Sequence, residues 1–174
     1  MVMRLGIVIA FCLTLVGCSA QLKDYQGSDP QLDLFVFFSG ESHAWGMIQD
    51  YSGKKTRSFE VIIVGSVVDD RLTLVEDFVF NDGEQSQRIW YIDKQPDGSY
   101  QGRASDVVGV AQGKEVGNAM FWSYDLVIPW DDSEIEVRLE DWLYRQDEKR
   151  LFNIAKIKKF GLEVGQITLF FEKQ

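Results

Sequence analysis

The stretch "RLTLVEDFVFNDGEQSQRIWYI", residues 71–92, decides how the chain folds. Leu72, Leu74, Glu76, Phe78 and Phe80 alternate with Thr73, Val75, Asp77 and Val79, a period of two that puts every second side chain on one face of a strand. "NDGE" at 81–84 supplies turn residues, and the chain resumes with Arg88, Trp90 and Ile92 sharing a face. The pattern reads as two antiparallel strands joined by a hairpin, each with one buried side.

The same pattern recurs along the chain. Ile135, Val137, Leu139, Asp141 and Leu143 alternate with Glu134, Glu136, Arg138, Glu140 and Trp142, and turn chemistry appears at "YSGKK" (51–55), "DDR" (69–71), "PDGS" (96–99), "WDDS" (130–133), "QDEK" (146–149) and "KFGLEVG" (159–165). Strands are predicted over 42–50, 57–66, 71–80, 86–94, 99–104, 118–128, 134–145, 150–158 and 165–172. No helical period of useful length occurs between Phe59 and Phe171. Eight or nine strands joined by short hairpins most economically form an all-β, single antiparallel up-and-down barrel, because closure removes exposed edges. A β-sandwich is the alternative. A membrane-spanning barrel is disfavoured, since Glu134, Glu136, Arg138 and Glu140 fill one whole face of a strand.

Ahead of the strands, "MVMRLGIVIAFCLTLVGCSAQ" has a basic residue at Arg4, an apolar run from Leu5 to Val16 and small residues at 17–20. These are the parts of an export signal, too short for a confident transmembrane helix. Leu15-Val16-Gly17-Cys18 resembles a lipobox, in which the signal (residues 1–17) is cut before a cysteine that receives diacylglycerol and an amide-linked acyl chain such as palmitate. The expected product is a lipoprotein held in the membrane through Cys18, since two acyl chains suffice for stable anchoring. Ser19 after that cysteine favours the outer membrane, facing the periplasm. Residues 18–33 read as a lipidated N-terminus and flexible tether spanning about 20 Å, and residues 34–174 as the barrel domain.

Cys12 leaves with the signal and Cys18 is occupied by lipid, so the mature domain has no thiol for a disulfide, a thiolate metal site or a nucleophile. His43 is the single histidine, which removes any multi-histidine metal site, and no G-x-S-x-G elbow accompanies it. No metal, cofactor or catalytic residue is assigned. Without Arg4 the mature chain keeps 17 Lys and Arg against 27 Asp and Glu, a formal charge of −10, which repels nucleic acid.

The glycine-rich stretch "GRASDVVGVAQGKEVGNA" (102–119) invites a phosphate-loop reading that its details exclude. Gly109 and Gly113-Lys114 are one residue too close, Glu115 stands where a hydroxyl residue is needed, and a strand follows rather than a helix. It reads instead as an irregular strand-to-strand connection at a barrel mouth, with Arg103, Asp106 and Asn118 as candidates for the cavity.

"HAWGMIQDYSG" (43–53), "LTLVEDFVFNDGE" (72–84), "RIWYI" (88–92), "YQGRASDVVGVAQGKEVGNAMFWSY" (100–124), "EDWLYRQDE" (140–148) and "KFGLEVGQITLFF" (159–171) together resemble an uncharacterised family of bacterial lipoproteins catalogued as a domain of unknown function. The resemblance implies a lipocalin-like barrel, and a genomic setting near cyclopropane-fatty-acid synthase and envelope-stress genes. It implies no established activity.

Within a barrel, Glu76 and Asp141 put carboxylates on apparently buried faces, and Arg88 and Arg103 are their candidate partners, because unpaired buried charge is costly. The competing reading is a structural ion-pair network or solvated strand ends. Glu76, Arg88, Trp90, Arg103, Asp106, Asn118, Trp122, Asp141 and Tyr144 are the ligand-binding candidates, the aromatics supplying burial and the charges orienting a polar end. The expected function is an outer-membrane-anchored binding module for a small apolar or lipid-derived ligand, linked to membrane lipid modification or envelope stress. The alternatives are an enzyme acting on a lipid or fatty-acid product, and a structural or assembly partner in the envelope.

Overall fold

The computed structural model describes residues 19–130 and 133–174. Residues 1–17 and Cys18, on which the signal and lipidation readings fall, lie outside them, as do Asp131 and Asp132. The strands are β1 (Gly40–Asp50), β2 (Lys55–Val68), β3 (Arg71–Phe80), β4 (Gln85–Lys94), β5 (Ser99–Arg103), β6 (Val107–Val116), β7 (Ala119–Trp130), β8 (Ser133–Arg145), β9 (Arg150–Lys159) and β10 (Leu162–Lys173). Each pairs antiparallel with the next, and β10 returns to β1, so the wall closes as a barrel rather than a sandwich.

Ten strands replace the expected eight or nine, and the extra one is β6, inside the glycine-rich stretch. Its glycines serve packing. A Cβ at Gly113 would lie 1.7 Å from Cε3 of Trp122, and one at Gly102 would lie 2.5 Å from Cζ2 of the same ring. Gly109 has φ +72° where the pairing of β6 with β7 shifts register between Val108 and Gln112. The stretch is therefore wall, stripped of side chains where an indole lies against it.

Alternation sets the interior. Leu72, Leu74, Glu76, Phe78 and Phe80 of β3 face Ile92, Trp90, Arg88 and Ser86 of β4 across register pairs such as Glu76↔Arg88 and Leu74↔Trp90. The burial of these inward positions is uneven. At the end holding the β2–β3, β4–β5, β6–β7 and β8–β9 turns, Leu72, Tyr100 and Leu151 are 0% exposed and Met120 is 1% exposed. Toward the other end, Ile48, Phe78, Phe80, Ile128, Ile135, Ile157 and Ile167 also point inward, yet all are only half-buried. Inward side chains are fully buried at one end and partly reached by solvent at the opposite end.

The N-terminal segment closes the packed end. A single 3-10 turn at Leu22–Tyr25 and a short helix α1 (Leu34–Phe38) lie against it, with Leu34, Phe37 and Phe38 buried. Asp33 caps α1 by accepting from the Val36 N–H at 3.0 Å, and Lys173 Nζ donates to the carbonyls of Val36 and Phe37. Glu115 accepts from the Leu34 N–H at 3.1 Å and from Tyr100 Oη at 2.7 Å. The stretch expected as a free tether is laid onto the wall as well. The Leu32 N–H donates to Gly117 O at 2.7 Å, Ser28 Oγ to Asn118 Oδ1 at 2.8 Å, and Arg145 Nη1 to Gln31 O at 2.7 Å. Its polar residues find partners far along the chain, which local composition does not reveal.

Candidate functional site

Between the packed end and the open end, strands on both sides of the barrel turn polar side chains inward. Glu76 follows from the β3 alternation, Arg88 from its partner on β4, Tyr124 from the parity of Trp122 on β7, Asp141 from β8 and Asn153 from β9. Asp106 enters from the β5–β6 turn, whose backbone is held by the Val127 N–H donating to Asp106 O at 2.9 Å. Trp90 and Trp122 form the apolar floor beside them. Their rings meet edge-on at 6.0 Å, and Trp90 meets Tyr124 edge-on at 5.3 Å.

Hydrogen bonding in this cluster is incomplete. Arg88 Nη2 donates to Asp106 Oδ2 at 2.6 Å, and its guanidinium stands 5.8 Å over the Phe78 ring. Tyr124 Oη donates to Asp141 Oδ2 at 3.4 Å, and Asn153 Nδ2 donates to Asp141 Oδ1 and to Trp142 O. Asp106 Oδ1 is buried and accepts from no group. Glu76, opposite Arg88, takes no hydrogen bond among the described residues, and its side chain is only half-buried although it points into the barrel. The Glu76 carboxyl therefore keeps unused acceptor capacity, partly reached by solvent.

Electrostatics follow from that enclosure. Burial lifts the Glu76 carboxyl from its ordinary 4.5 to about 7, opposed by the Arg88 charge and reinforced by Asp106 and Asp141. Burial likewise lifts Asp141 from 3.8 to about 6, against the hydrogen bonds from Asn153 and Tyr124 and the Arg88 charge. Tyr124 is pushed well above its usual range, first by burial and then by Asp141, so it stays a neutral donor near pH 7.

Of the sequence candidates, Glu76, Arg88, Trp90, Asp106, Trp122 and Asp141 come together in the interior. Three do not. Arg103 is exposed on the outer face, because Tyr100 and Gly102 take the inward parity of β5 and leave Arg103 opposite the exposed Tyr91. Asn118 sits in the β6–β7 turn, accepting from Ser28 Oγ, and belongs to the seam of the N-terminal segment. Tyr144 faces outward next to Asp141 and Leu143, stacked on Trp142 and touching Tyr25.

Tyr124 and Asn153 were missed as cluster members. The signal for Tyr124 was its shared parity with Trp122, and for Asn153 its place between the apolar Leu151 and Ala155 on an inward face. His43 lies on the outer face, 3.5 Å from the Glu60 carboxylate and against Trp45. Two shallow outer depressions, one bordered by Asp125, Arg138, Glu140 and Lys158 and the other by Asp69, Arg71 and Asp93, are edged by solvated ion pairs.

The arrangement places apolar side chains along the solvent-reached half of the interior and polar groups at its inner end. No curated protein matches the chain at a significant level. A family model described as "Protein of unknown function (DUF3833)" matches residues 12–173, nearly the whole length, and the chain belongs to that family.

Proposed function

We propose that this protein is a lipocalin-like binding module that takes a small apolar or lipid-derived ligand into the open half of its barrel, and that it works at the bacterial envelope, anchored through lipid on Cys18. One observation carries the binding reading. Inward apolar residues are sealed at one end and solvent-reached at the other, and a partly unsatisfied polar cluster lies between them. Ile48, Phe78, Phe80, Ile157 and Ile167 would bury an acyl chain or ring system. Each buried CH₂ contributes about 0.8 kcal/mol, so a chain of modest length reaches useful affinity.

Anchoring and periplasmic exposure rest on the lipobox resemblance and on Ser19. In that setting the open barrel would hold its ligand beside the membrane surface. Native mass spectrometry of residues 19–174 purified from the periplasm, followed by organic extraction, tests the reading. A stoichiometric adduct that extracts as an apolar or amphiphilic molecule is expected. A clean apo mass that survives challenge with membrane lipid extract would overturn it.

A further inference from the structure

The interior charges are unbalanced. On the inward faces and in the turn entering the barrel, between the plugged end and the rim, stand three carboxyl groups, Glu76, Asp106 and Asp141, and one guanidinium, Arg88. The remaining inward charges lie at the two ends. Lys94, Glu115, Arg145 and Lys173 are at the plug, with Glu115 engaged by Tyr100 and Leu34, Arg145 by the carbonyls of Gln31 and Asp147, and Lys173 by the α1 carbonyls. Arg57 is at the rim, held by Asp82 and Glu84, and Lys159 is at the rim donating to Glu136 O. None of these balances the central group.

One N–H of Arg88 is committed. Its Nη2 is 2.6 Å from Asp106 Oδ2, and Glu76 faces it across the β3–β4 register. Without a hydrogen bond among the described residues remain the buried Asp106 Oδ1, the half-buried Glu76 carboxyl and the other N–H groups of Arg88. A ligand carboxylate or phosphate entering here could take the remaining Arg88 N–H groups but would stand among three carboxyl groups against one guanidinium. A ligand ammonium would meet free acceptors and offset the excess negative charge. Among the described residues no three carboxylate, imidazole or thiolate groups are grouped closely enough to enclose a metal ion. Carboxyl groups that do not converge on one point fit an organic ammonium.

We infer that the polar end of the ligand is a cationic amine, carried on an apolar chain or ring that fills the open half of the barrel. This rests on the binding reading above and specifies its ligand class. The ammonium would donate to Asp106 Oδ1 and to Glu76, while Arg88 holds Asp106 in place and Tyr124 and Asn153 hold Asp141.

The test is calorimetric titration of residues 19–174, which contain the whole barrel and its plug, with decylamine, decanoic acid and decanol. The amine is expected to bind at least about tenfold more tightly than the acid or the alcohol, because only the amine brings a charge opposite to the excess carboxylates. Amine affinity should rise from pH 5.5 to pH 8 as Glu76 and Asp141 ionise. Glu76→Gln and Asp106→Asn, which keep side-chain shape, should each weaken the amine at least about tenfold more than they weaken the alcohol. Tighter binding of the acid, equal binding of all three, or insensitivity to both substitutions would overturn the amine assignment and leave the binding module standing. Absence of binding by any of the three probes would count against both.

Discussion

Stability should fall as pH rises from 5 to 8, and Glu76→Gln should remove most of that fall. The folded state holds the Glu76 proton up to about pH 7, whereas the unfolded chain releases it near 4.5. Over this window the folded protein binds more protons than the unfolded one, so raising the pH favours unfolding. The contribution is complete below about pH 4.5 and lost as pH passes through 7. For Glu76 it amounts to about 2 kcal/mol between pH 5 and 8, at 1.36 kcal/mol for each unit of separation.

Asp141, lifted from 3.8 to about 6, adds a smaller loss of the same sign lower in the window. The surface carboxylates held low by hydrogen bonds or ion pairs, at Asp50, Asp82, Asp93, Asp97 and Asp147, act with the opposite sign and only on the acid side. Chemical denaturation at several pH values checks this. A maximum near pH 5 with a declining neutral limb is expected for the native sequence, and a flatter limb for Glu76→Gln. Equal slopes for the two proteins would remove Glu76 from the buried cluster.

Gly113→Ala is expected to cost about 3 kcal/mol, at the upper end of the usual range for overpacking. The added Cβ would sit 1.7 Å from the Trp122 ring and 2.6 Å from Met120 Cε. Trp122 has little room to retreat. It is 6% exposed, its far edge lies over Gly102, and Trp90 meets it edge-on. Thermal unfolding should drop by roughly 6–12 °C for a domain of this size. Adding Trp122→Leu to the same protein should recover part of the loss, because the two positions share one contact and their effects do not add. A Gly113→Ala protein as stable as its parent would mean that the indole does not lie on β6.

That contact also explains where the sequence was legible and where it was not. Strands such as β3 and β8 announce themselves because each buries one face and solvates the other, so Leu72 to Phe80 and Ile135 to Leu143 carry their own period. β6 does not. Its inward positions include Ala111 and Gly113, small because a partner fills their space, and small residues in a row resemble a loop. The N-terminal segment was opaque for a related reason. Ser28, Leu32 and Arg145 hold it through single bonds to distant partners, leaving only a polar, Gly- and Pro-bearing composition to read.

Site residues followed the same logic. Parity along clear strands placed Glu76, Arg88, Trp90 and Asp141 inside. Arg103, Asn118 and Tyr144 lie at or beside strand ends, where a shift of one residue exchanges inside for outside. Asp106 is the instructive exception. It comes from a turn, yet its carboxylate reaches the interior because Arg88 draws it there. Parity sees neither turns nor attraction across the barrel.

The central claim is that the barrel is sealed at one end and open at the other, and cysteine reactivity measures this directly. Residues 19–174 contain no cysteine, so a single introduced thiol reports alone. Three variants of that chain would be exposed to a small water-soluble thiol reagent: Phe78→Cys, inward in the open half; Leu72→Cys, inward at the packed end; and Val79→Cys, outward on the same strand. Phe78→Cys should react within about tenfold of Val79→Cys, and Leu72→Cys should react only on unfolding, since a position with no solvent contact is modified through the open state. Protection of Phe78→Cys to the same degree as Leu72→Cys would mean a filled interior, and the binding account would fail.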